Sequence, residues 1–426
     1  MSAQFLLLAI PLALLLIGAP IGIALAATSA IYMLIVDVPL VAVAQRIYTS
    51  LDQFTLTAIP AFMLAGAIME HAGISRRLVD FAMAGVGRYR AGMPKVTILT
   101  SMLFGGMSGA AAADSAAVGA VMVPEMERHN YPRPYSAALV AAASITAVLI
   151  PPSIPLVFYG VLASTSISQL LLAGAIPGLL AGSALMAVVH FQKEARAEVK
   201  PKGNGQSFLR TVWRALPVLA LPGIILGGIF FGLVTATEAA VVAVAYALFL
   251  GCIALRSLKL ADAGRLFGQT AVNSSTVMLL IALASVYSWI LTRELIPQQI
   301  AEMVLSISQE RWAILLLINL MLLIVGCLLD TGSAMIIFVS IFFPVIKDLG
   351  IDPVHFGVIM VFNLAIGMLT PPVGICLMVA SSVSQVPVQK LVRPVLPFIG
   401  ALLVVLGLVT YVPEVSLWLP SLSRGN

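Results

Sequence analysis

Charged residues are scarce in this chain of 426 residues. Only 10% of its side chains are charged, whereas 61% are hydrophobic and the mean hydropathy is +1.08. A soluble domain carries about 25% charged residues, so this composition excludes a soluble enzyme, a nucleic-acid binder and a disordered protein. The net charge of +5 does not indicate DNA binding, because the basic residues lie in short loops between apolar runs. The composition fits a polytopic helical membrane protein.

Metal-binding and nucleotide-binding patterns are also missing. The three cysteines have no CxxC spacing, and none of the four histidines pairs with another ligand at helical spacing. These residues are Cys252, Cys327, Cys376, His71, His129, His190 and His355. Neither a disulfide framework nor a metal enzyme is therefore expected. No GxxxxGK[ST] motif occurs, so the chain does not itself hydrolyse ATP, and uphill work must come from an ion gradient or a separate subunit.

Twelve apolar runs alternate with short polar segments, and several are long enough to span a membrane, which takes about 20 residues. The runs lie at 3–17, 19–36, 54–69, 97–123, 136–163, 167–191, 216–234, 237–255, 271–292, 312–346, 356–385 and 395–413. No basic residue precedes the first run, which argues against a cleaved signal peptide. The N-terminal run is therefore expected to remain as a spanning segment.

Four of the runs are interrupted. Glycine-containing segments interrupt two of these runs, and double prolines interrupt the other two. The interruptions are Gly105-Gly106-Met107-Ser108-Gly109 in 97–123, Pro151-Pro152 in 136–163, Gly326 with Asp330-Thr331-Gly332 in 312–346, and Pro371-Pro372 in 356–385. Proline removes a backbone donor, so the breaks leave unpaired backbone groups at membrane depth. Such groups are tolerated only where they line a cavity or a binding site.

The interruptions recur at an offset of 220 residues. The matched pairs are Gly106 with Gly326, Pro124 with Pro344, Pro151-Pro152 with Pro371-Pro372, Gln169 with Gln389, and Pro177 with Pro397. This recurrence predicts two homologous halves, 1–200 and 201–426. The alternative is a general resemblance between apolar helices that contain proline.

Lys and Arg set the orientation of the spans. The segments 76–95 and 193–214 are rich in both and are predicted to be cytoplasmic. The run 97–123 begins and ends on that side, so it is predicted to be a re-entrant hairpin with Ser108-Gly109 near its tip. Successive spans must cross the membrane in alternating directions. This alternation makes 312–346 a second hairpin that enters from outside, and it places the N-terminus outside. Inverted repeats with discontinuous helices are the architecture of a secondary transporter.

Three acidic residues lie well inside apolar runs, where a carboxylate indicates function by default. Asp330, at the second glycine break, is a candidate sodium ligand, because hard cations take oxygen ligands; the alternative is a helix cap before Thr331. Asp114 is equally a candidate cap or ligand. Glu238 follows Thr235 and fits a structural cap.

The proline breaks supply a second kind of ligand. Carbonyl groups around Pro151-Pro152 and Pro371-Pro372 lose their helical partners and can bind sodium without a charged side chain. The half-helix after each break points its positive dipole end inward, which suits an anionic substrate. The alternative is a simple helix kink.

These residues together resemble the large membrane subunit, DctM-like, of the tripartite ATP-independent periplasmic (TRAP) transporters, over nearly the whole chain. The matching segments are 58–66, 104–114, 150–154, 174–178, 237–240, 350–357 and 363–374. The resemblance implies sodium-driven uptake of an organic anion, mostly a carboxylate, across the bacterial inner membrane, with no cofactor besides the coupling ion. It also implies a periplasmic binding protein that delivers substrate, a small four-helix membrane subunit, and an elevator-type movement of a domain that holds both hairpins.

The resemblance also implies site residues. The first sodium site would consist of Ser108, Gly109, Ala147, Ile150 and Pro152, and the second of Gly326, Asp330, Gly367 and Thr370. The substrate would lie between the hairpin tips, near Ser108, Gly109, Ala110, Ser153, Gly374 and Cys376. Ala110 and Cys376 depart from the family pattern, in which a small polar residue and an asparagine are usual, so they affect the identity of the substrate.

Three alternatives remain open at the level of sequence. A stand-alone sodium/divalent-anion symporter would need no binding protein. An intramembrane enzyme would need a nucleophile or metal cluster, and the sequence offers only scattered His and Cys. A purely structural subunit would not need broken helices at the midplane.

Overall fold

The protein is described by a computed structural model. It covers residues 7, 9–11, 13–14, 17–36, 39–192, 208–296, 298–300, 302, 310–371 and 373–423. Residues 193–207 of the predicted cytoplasmic segment 193–214, most of the apolar run 3–17 and Pro372 lie outside the described residues.

The described part of the chain is helical throughout and has no β-strand. The first half contains α1 Ile21–Val36, α2 Leu40–Leu51, α3 Ala58–His71, α4 Ser75–Val86, α5 Gly92–Ser108, α6 Ala111–Arg128, α7 Arg133–Ser144, α8 Ile154–Leu162 and α9 Ile167–Phe191. The second contains α10 Phe208–Phe230, α11 Ala236–Leu248, α12 Leu260–Arg293, α13 Arg311–Leu328, α14 Thr331–Asp348, α15 Pro353–Gly367, α16 Ile375–Ser384, α17 Val388–Tyr411 and α18 Glu414–Ser423. Eight of the described helices are long and apolar enough to cross a membrane, so the chain is a multi-pass membrane protein.

The glycine breaks fall within the segments predicted for them. Gly106 lies inside α5 and Gly326 inside α13, and the chain leaves the helix only at Gly109 and at Leu329. Gly109 has φ +63°, a left-handed conformation that glycine adopts without strain. Both glycine-rich segments therefore end helices, with Gly109 at the predicted tip of the first hairpin and Leu329-Asp330 between the helices of the second.

Four of the prolines that recur along the sequence do not interrupt helices. Pro124, Pro177, Pro344 and Pro397 lie within α6, α9, α14 and α17. A single proline in a long membrane helix can be tolerated, because neighbouring groups satisfy the freed carbonyl. The double proline Pro151-Pro152 does separate helices, since it follows a 3₁₀ turn at Ile145–Val148 and precedes α8.

Helix bounds in the two halves follow the same spacing as the motifs. Helix α6 covers Ala111–Arg128 and α14 covers Thr331–Asp348, so both bounds lie 220 residues apart. Helices α7 and α15 likewise begin at Arg133 and Pro353. Each half thus contains a helical hairpin followed by a broken helix in the same order.

Two amphipathic helices, α2 and α4, were not expected from the apolar runs. Polar and charged residues interrupt both, for example Gln45 and Arg46 in α2 and Asp80 in α4, so neither forms a continuous apolar run. Helix α12 begins at Leu260, well before the predicted run 271–292, because its first turns are amphipathic as well.

The two halves interlock at the hairpins. Helix α16, which follows the second break, packs against α6 and α7 of the first half. A Cβ added to Gly119 of α6 would lie 3.4 Å from Val383 of α16. Helix α15 packs against α13 and α14 of the second hairpin and also against α8. The broken helix of each half is thereby held against a hairpin.

Candidate functional site

The tip of the first hairpin is formed by two residues between α5 and α6. The Gly109 N–H donates to Gly105 O at 2.9 Å, and Ala110 is extended with φ −139° and ψ 120°. The Gly109 carbonyl accepts a hydrogen bond from Ile154 N at 3.2 Å. The hairpin tip is therefore bonded directly to the first turn of α8, on the far side of the proline break.

The first break is closed by a serine. The Ser153 hydroxyl donates to Val148 O at 2.5 Å and accepts from Leu156 N at 3.2 Å, so it bridges the end of the 3₁₀ turn to the start of α8. This hydroxyl is fully buried. It satisfies backbone groups that proline leaves without partners.

The predicted residues of the first sodium site come together at this junction. Gly109 packs against the carbonyl of Pro152, Gly105 against Ala147, and a Cβ on Gly106 would lie 3.4 Å from Ile150 Cγ2. Within the described chain, the carbonyl oxygens of Ile150 and Pro152 accept no hydrogen bond. Carbonyl oxygens of this kind are suitable ligands for a hard cation.

The predicted residues of the second site also approach one another, with one exception. Gly326 and Gly367 meet backbone to backbone, since a Cβ on Gly326 would lie 3.1 Å from Gly367 Cα. Thr370 donates from its hydroxyl to Ile366 O at 2.8 Å and from its N–H to Gly367 O at 2.8 Å. Thr331, at the start of α14, contacts Met368 Sδ at 2.9 Å. The second hairpin is thus held against the end of α15.

Asp330 is the exception, because its carboxylate faces its own helix. Oδ2 accepts from Ser333 N at 3.1 Å, and Oδ1 accepts from the Ser333 hydroxyl. The carboxylate caps α14, as the structural alternative predicted, and Asp330 is exposed. A sodium-binding role for Asp330 stays a prediction.

The residues predicted near the substrate differ in their availability. The Ser108 hydroxyl is buried and has no hydrogen-bond partner in the described chain, whereas Ser153 is already satisfied. Gly374 has φ +55°, and Cys376 is buried and donates its N–H to Met368 O at 3.0 Å. Ala110 is half-buried at the first tip. Of these side chains, only Ser108 offers an unused polar group.

The other two acidic residues have opposite roles. Glu238 and Thr235 form a capping box, in which Thr235 N donates to Glu238 Oε2 at 2.8 Å, so the predicted structural cap is confirmed. Asp114 is not a cap: Ala110 occupies that position, and Asp114 is fully buried beside Ser101. Neither carboxylate oxygen of Asp114 has a hydrogen-bond partner among the described residues.

An asparagine pair that the sequence analysis did not weigh stabilises the second hairpin. Asn363 donates from Nδ2 to Asn319 Oδ1 at 2.7 Å and to Asn319 O at 2.9 Å, and Asn319 donates to Thr410 Oγ1 at 3.1 Å. These bonds connect α13, α15 and α17. Both asparagines lie inside apolar runs, which is a signal that a search limited to acids overlooks.

Comparisons with known proteins agree with this architecture. The fold resembles that of the Alcanivorax borkumensis YdaH transporter, whose crystal structure is described as revealing an unusual topology, with a TM-score of 0.64 and 13% identity over 86% of each chain. At that identity the likeness concerns the fold alone. The fold is that of a polytopic helical membrane protein.

Sequence comparisons define the family. The model described as "Tripartite ATP-independent periplasmic transporter, DctM component" matches residues 8–415. The Vibrio cholerae sialic acid TRAP transporter large permease protein SiaM is 40% identical, over 97% of both chains. The Oleidesulfovibrio alaskensis isethionate TRAP transporter permease protein DctMQ is 41% identical, over 98% of this chain and 65% of its own length.

The chain therefore belongs to the DctM family and is a large permease subunit of a TRAP transporter. Its relatives are transporter subunits and not enzymes. The resemblance stated from the sequence motifs is confirmed, and the intramembrane enzyme is excluded.

Gly109→Ala tests the junction between the first hairpin and the proline break. Alanine at this position would have to keep the left-handed backbone conformation, and its Cβ would lie against Pro152 O. We therefore expect a loss of about 2–4 kcal/mol in the free energy of unfolding. Gly232→Ala is the matched control, because Gly232 also has a left-handed φ, +67°, but has no atom within 4 Å of the added Cβ. Thermal and denaturant unfolding in detergent measure both. Equal losses would show that close packing at the tip contributes nothing.

Proposed function

We propose that this subunit imports an organic anion, predominantly a carboxylate, by coupling its movement to a sodium gradient across the bacterial inner membrane. A periplasmic binding protein delivers the anion, and a small four-helix membrane subunit packs beside this one. The names of the relatives support an anionic cargo, since sialic acid and isethionate are both acids. The DctMQ relative is also longer than the aligned region, which is compatible with an additional membrane component.

Sodium coupling is supported by two backbone junctions, one where each hairpin meets a broken helix. At the first, the carbonyls of Ile150 and Pro152 are unpaired beside the glycine at the hairpin tip. At the second, Gly326 and Gly367 bring two backbones into contact next to Thr370. Carbonyl and hydroxyl oxygens held at fixed positions suit a cation, and at the second junction the exposed Asp330 adds a carboxylate without the cost of a buried charge. We assign one sodium ion to each junction.

Helix termini support an anionic substrate. Helices α8 and α16 both begin immediately after a break, at Ile154 and Ile375. The positive dipole end of each half-helix attracts negative charge, although the N–H groups of Ile154 and Leu156 in α8 are already bonded to Gly109 O and Ser153 Oγ. Ser108, with its unused hydroxyl, lies at the adjacent hairpin tip. The substrate is placed between the two tips, with Cys376 and Ala110 adjusting the shape of its site.

An elevator mechanism accounts for the arrangement of the hairpins. Each is paired with a broken helix, and α16 joins the second unit to the first. This body can move as one, while α1, α2, α3 and α12 remain as scaffold. The matching helix bounds support two repeats, and the distribution of Lys and Arg supports their opposite orientation.

Asp330→Asn tests sodium binding at the second junction. Asparagine is as good a helix cap as aspartate, so the variant keeps the fold while it removes the charge. A ligand that binds only the folded state contributes about 1.4 kcal/mol at ten times its Kd. We expect Asp330→Asn to lose about that much of the sodium-specific stabilisation, measured by melting in sodium and in potassium of equal ionic strength.

Asp352→Asn is the control for this measurement, because Asp352 also caps a helix and accepts from Val354 N at 2.7 Å, but it lies outside both junctions. The same sodium-specific rise in wild type and in both variants would remove Asp330 from the ligands. No sodium-specific rise in wild type would contradict sodium coupling.

Uptake into proteoliposomes separates the tripartite system from a stand-alone symporter. With an inward sodium gradient and the small subunit present, we expect uptake of sialic acid, isethionate or succinate only after the cognate binding protein is added. Potassium in place of sodium is the control. Sodium-driven uptake of free anion without a binding protein would favour the stand-alone symporter.

A further inference from the structure

A polar cavity lies away from both hairpin tips, where scaffold helices meet the second hairpin. It has a volume of about 580 Å³ and is lined by residues of α2, α12 and α14 and by the end of α8. Its polar lining includes Arg46, Thr49, Gln53, Ser288, Thr292 and Ser340. A cavity with this lining is unsuited to lipid tails, which leave polar groups unsatisfied.

Arginine provides the charge in this cavity. The Arg46 guanidinium lies over the Trp289 ring, 5.5 Å from the ring centroid, and Arg293 lies 5.8 Å from the same ring. Among the described residues that line the cavity there is no Asp or Glu. Glu294, next to Arg293, is hydrogen-bonded to Tyr32. The described lining of the cavity therefore carries one positive charge and no negative charge.

The stacking holds Arg46 in a defined orientation. Ser285 Oγ reaches Arg46 O at 3.4 Å and so connects α2 to α12, while Trp289 supports the guanidinium plane. A guanidinium positioned on an aromatic ring keeps its fork of N–H donors available for a planar anion. Gln53 and Ser288 line the same space with neutral hydrogen-bonding groups, whereas the Thr49 hydroxyl donates to Gln45 O at 2.9 Å.

This combination of one oriented guanidinium, neutral donors and no acid recognises a small organic anion. It does not suit a metal cation, which would need carboxylates or several carbonyls. It does not suit an apolar ligand either, since Trp289, Val161, Leu162, Ile281, Ala284 and Ile336 form only part of the lining.

The position of the cavity suggests when the anion is bound. The residues Gln53, Ser164 and Thr292 lie at helix ends that the proposed topology places on the periplasmic side. The cavity lies between scaffold helices α2 and α12 and helix α14 of the second hairpin, which belongs to the moving body. We propose that it is an entry site, in which Arg46 binds the carboxylate or sulfonate group of the substrate before the substrate reaches the hairpin tips. This inference rests on the proposed import function.

Trp289 fluorescence tests the entry site directly. The chain has four tryptophans, so Trp213→Phe, Trp312→Phe and Trp418→Phe leave Trp289 as the reporter. Sialic acid, isethionate and succinate are titrated in turn, with the neutral sugar N-acetylmannosamine as control. We expect a saturable change with the anions only. Loss of a hydrogen-bonded charge pair predicts a Kd about ten- to a hundredfold higher in Arg46→Gln.

Two further variants make the result specific. Arg46→Lys keeps the charge but loses the planar fork, and an intermediate Kd is expected. Arg88→Gln is the matched control, because Arg88 is also stacked on an aromatic ring, 5.4 Å from the Tyr89 centroid, but does not line the cavity. Should Arg46→Gln fail to fold, the proposal is tested by comparing the anions with the neutral sugar in the protein that carries only the three Trp→Phe substitutions. No saturable change with any anion, or an unchanged Kd in folded Arg46→Gln, would overturn the proposal.

Sodium-driven uptake by the reconstituted complex distinguishes this proposal from the proposed function. Arg46→Gln is expected to raise KM at least tenfold with little change in Vmax, because the hairpin site is intact. An unchanged KM for anion uptake in Arg46→Gln, with sodium-driven uptake preserved, would overturn the entry site and leave the import function standing. Absence of sodium-driven uptake of all three anions in wild type would instead overturn the import function.

Discussion

Backbone polar groups at membrane depth must find partners inside the protein, because hydrocarbon offers none. This constraint governs every unusual feature of the fold. A continuous helix satisfies it without help, whereas a hairpin tip or a broken helix exposes free N–H and C=O groups. The protein places its tips and breaks next to one another, so that one supplies partners for the other.

The first junction illustrates this arrangement. Gly109 O accepts from Ile154 N across the tip, and the Ser153 hydroxyl bridges Val148 O to Leu156 N. The carbonyls of Ile150 and Pro152 remain without protein donors in the described chain. The second junction uses a different solution, in which Asp330 caps α14 and two glycine backbones are in contact. The unpaired carbonyls of the first junction are groups that a cation can use.

The sequence was sufficient to predict the breaks, their spacing and the family, because glycine and double proline act locally and leave a visible mark in an apolar run. It was not sufficient for α2 and α4, whose residues alternate too often between polar and apolar to form a run. The pairing of Asn319 with Asn363 and the burial of Asp114 could not be predicted either, since both depend on which helices become neighbours. Arg46 and Trp289 are separated by more than two hundred residues, so only the packing of α2 on α12 makes their contact visible.

The central claim is that the two hairpins have opposite orientations in the membrane, since ion coupling at two junctions around one substrate depends on it. Arg128 and Asp348 end the second helix of each hairpin, and both are exposed. With the three native cysteines replaced by alanine, a cysteine at each position can be labelled with a membrane-impermeant maleimide in right-side-out and inside-out vesicles. We expect labelling of position 348 only from the periplasmic side and of position 128 only from the cytoplasmic side. Labelling of both positions from the same side would contradict opposite orientations of the two hairpins.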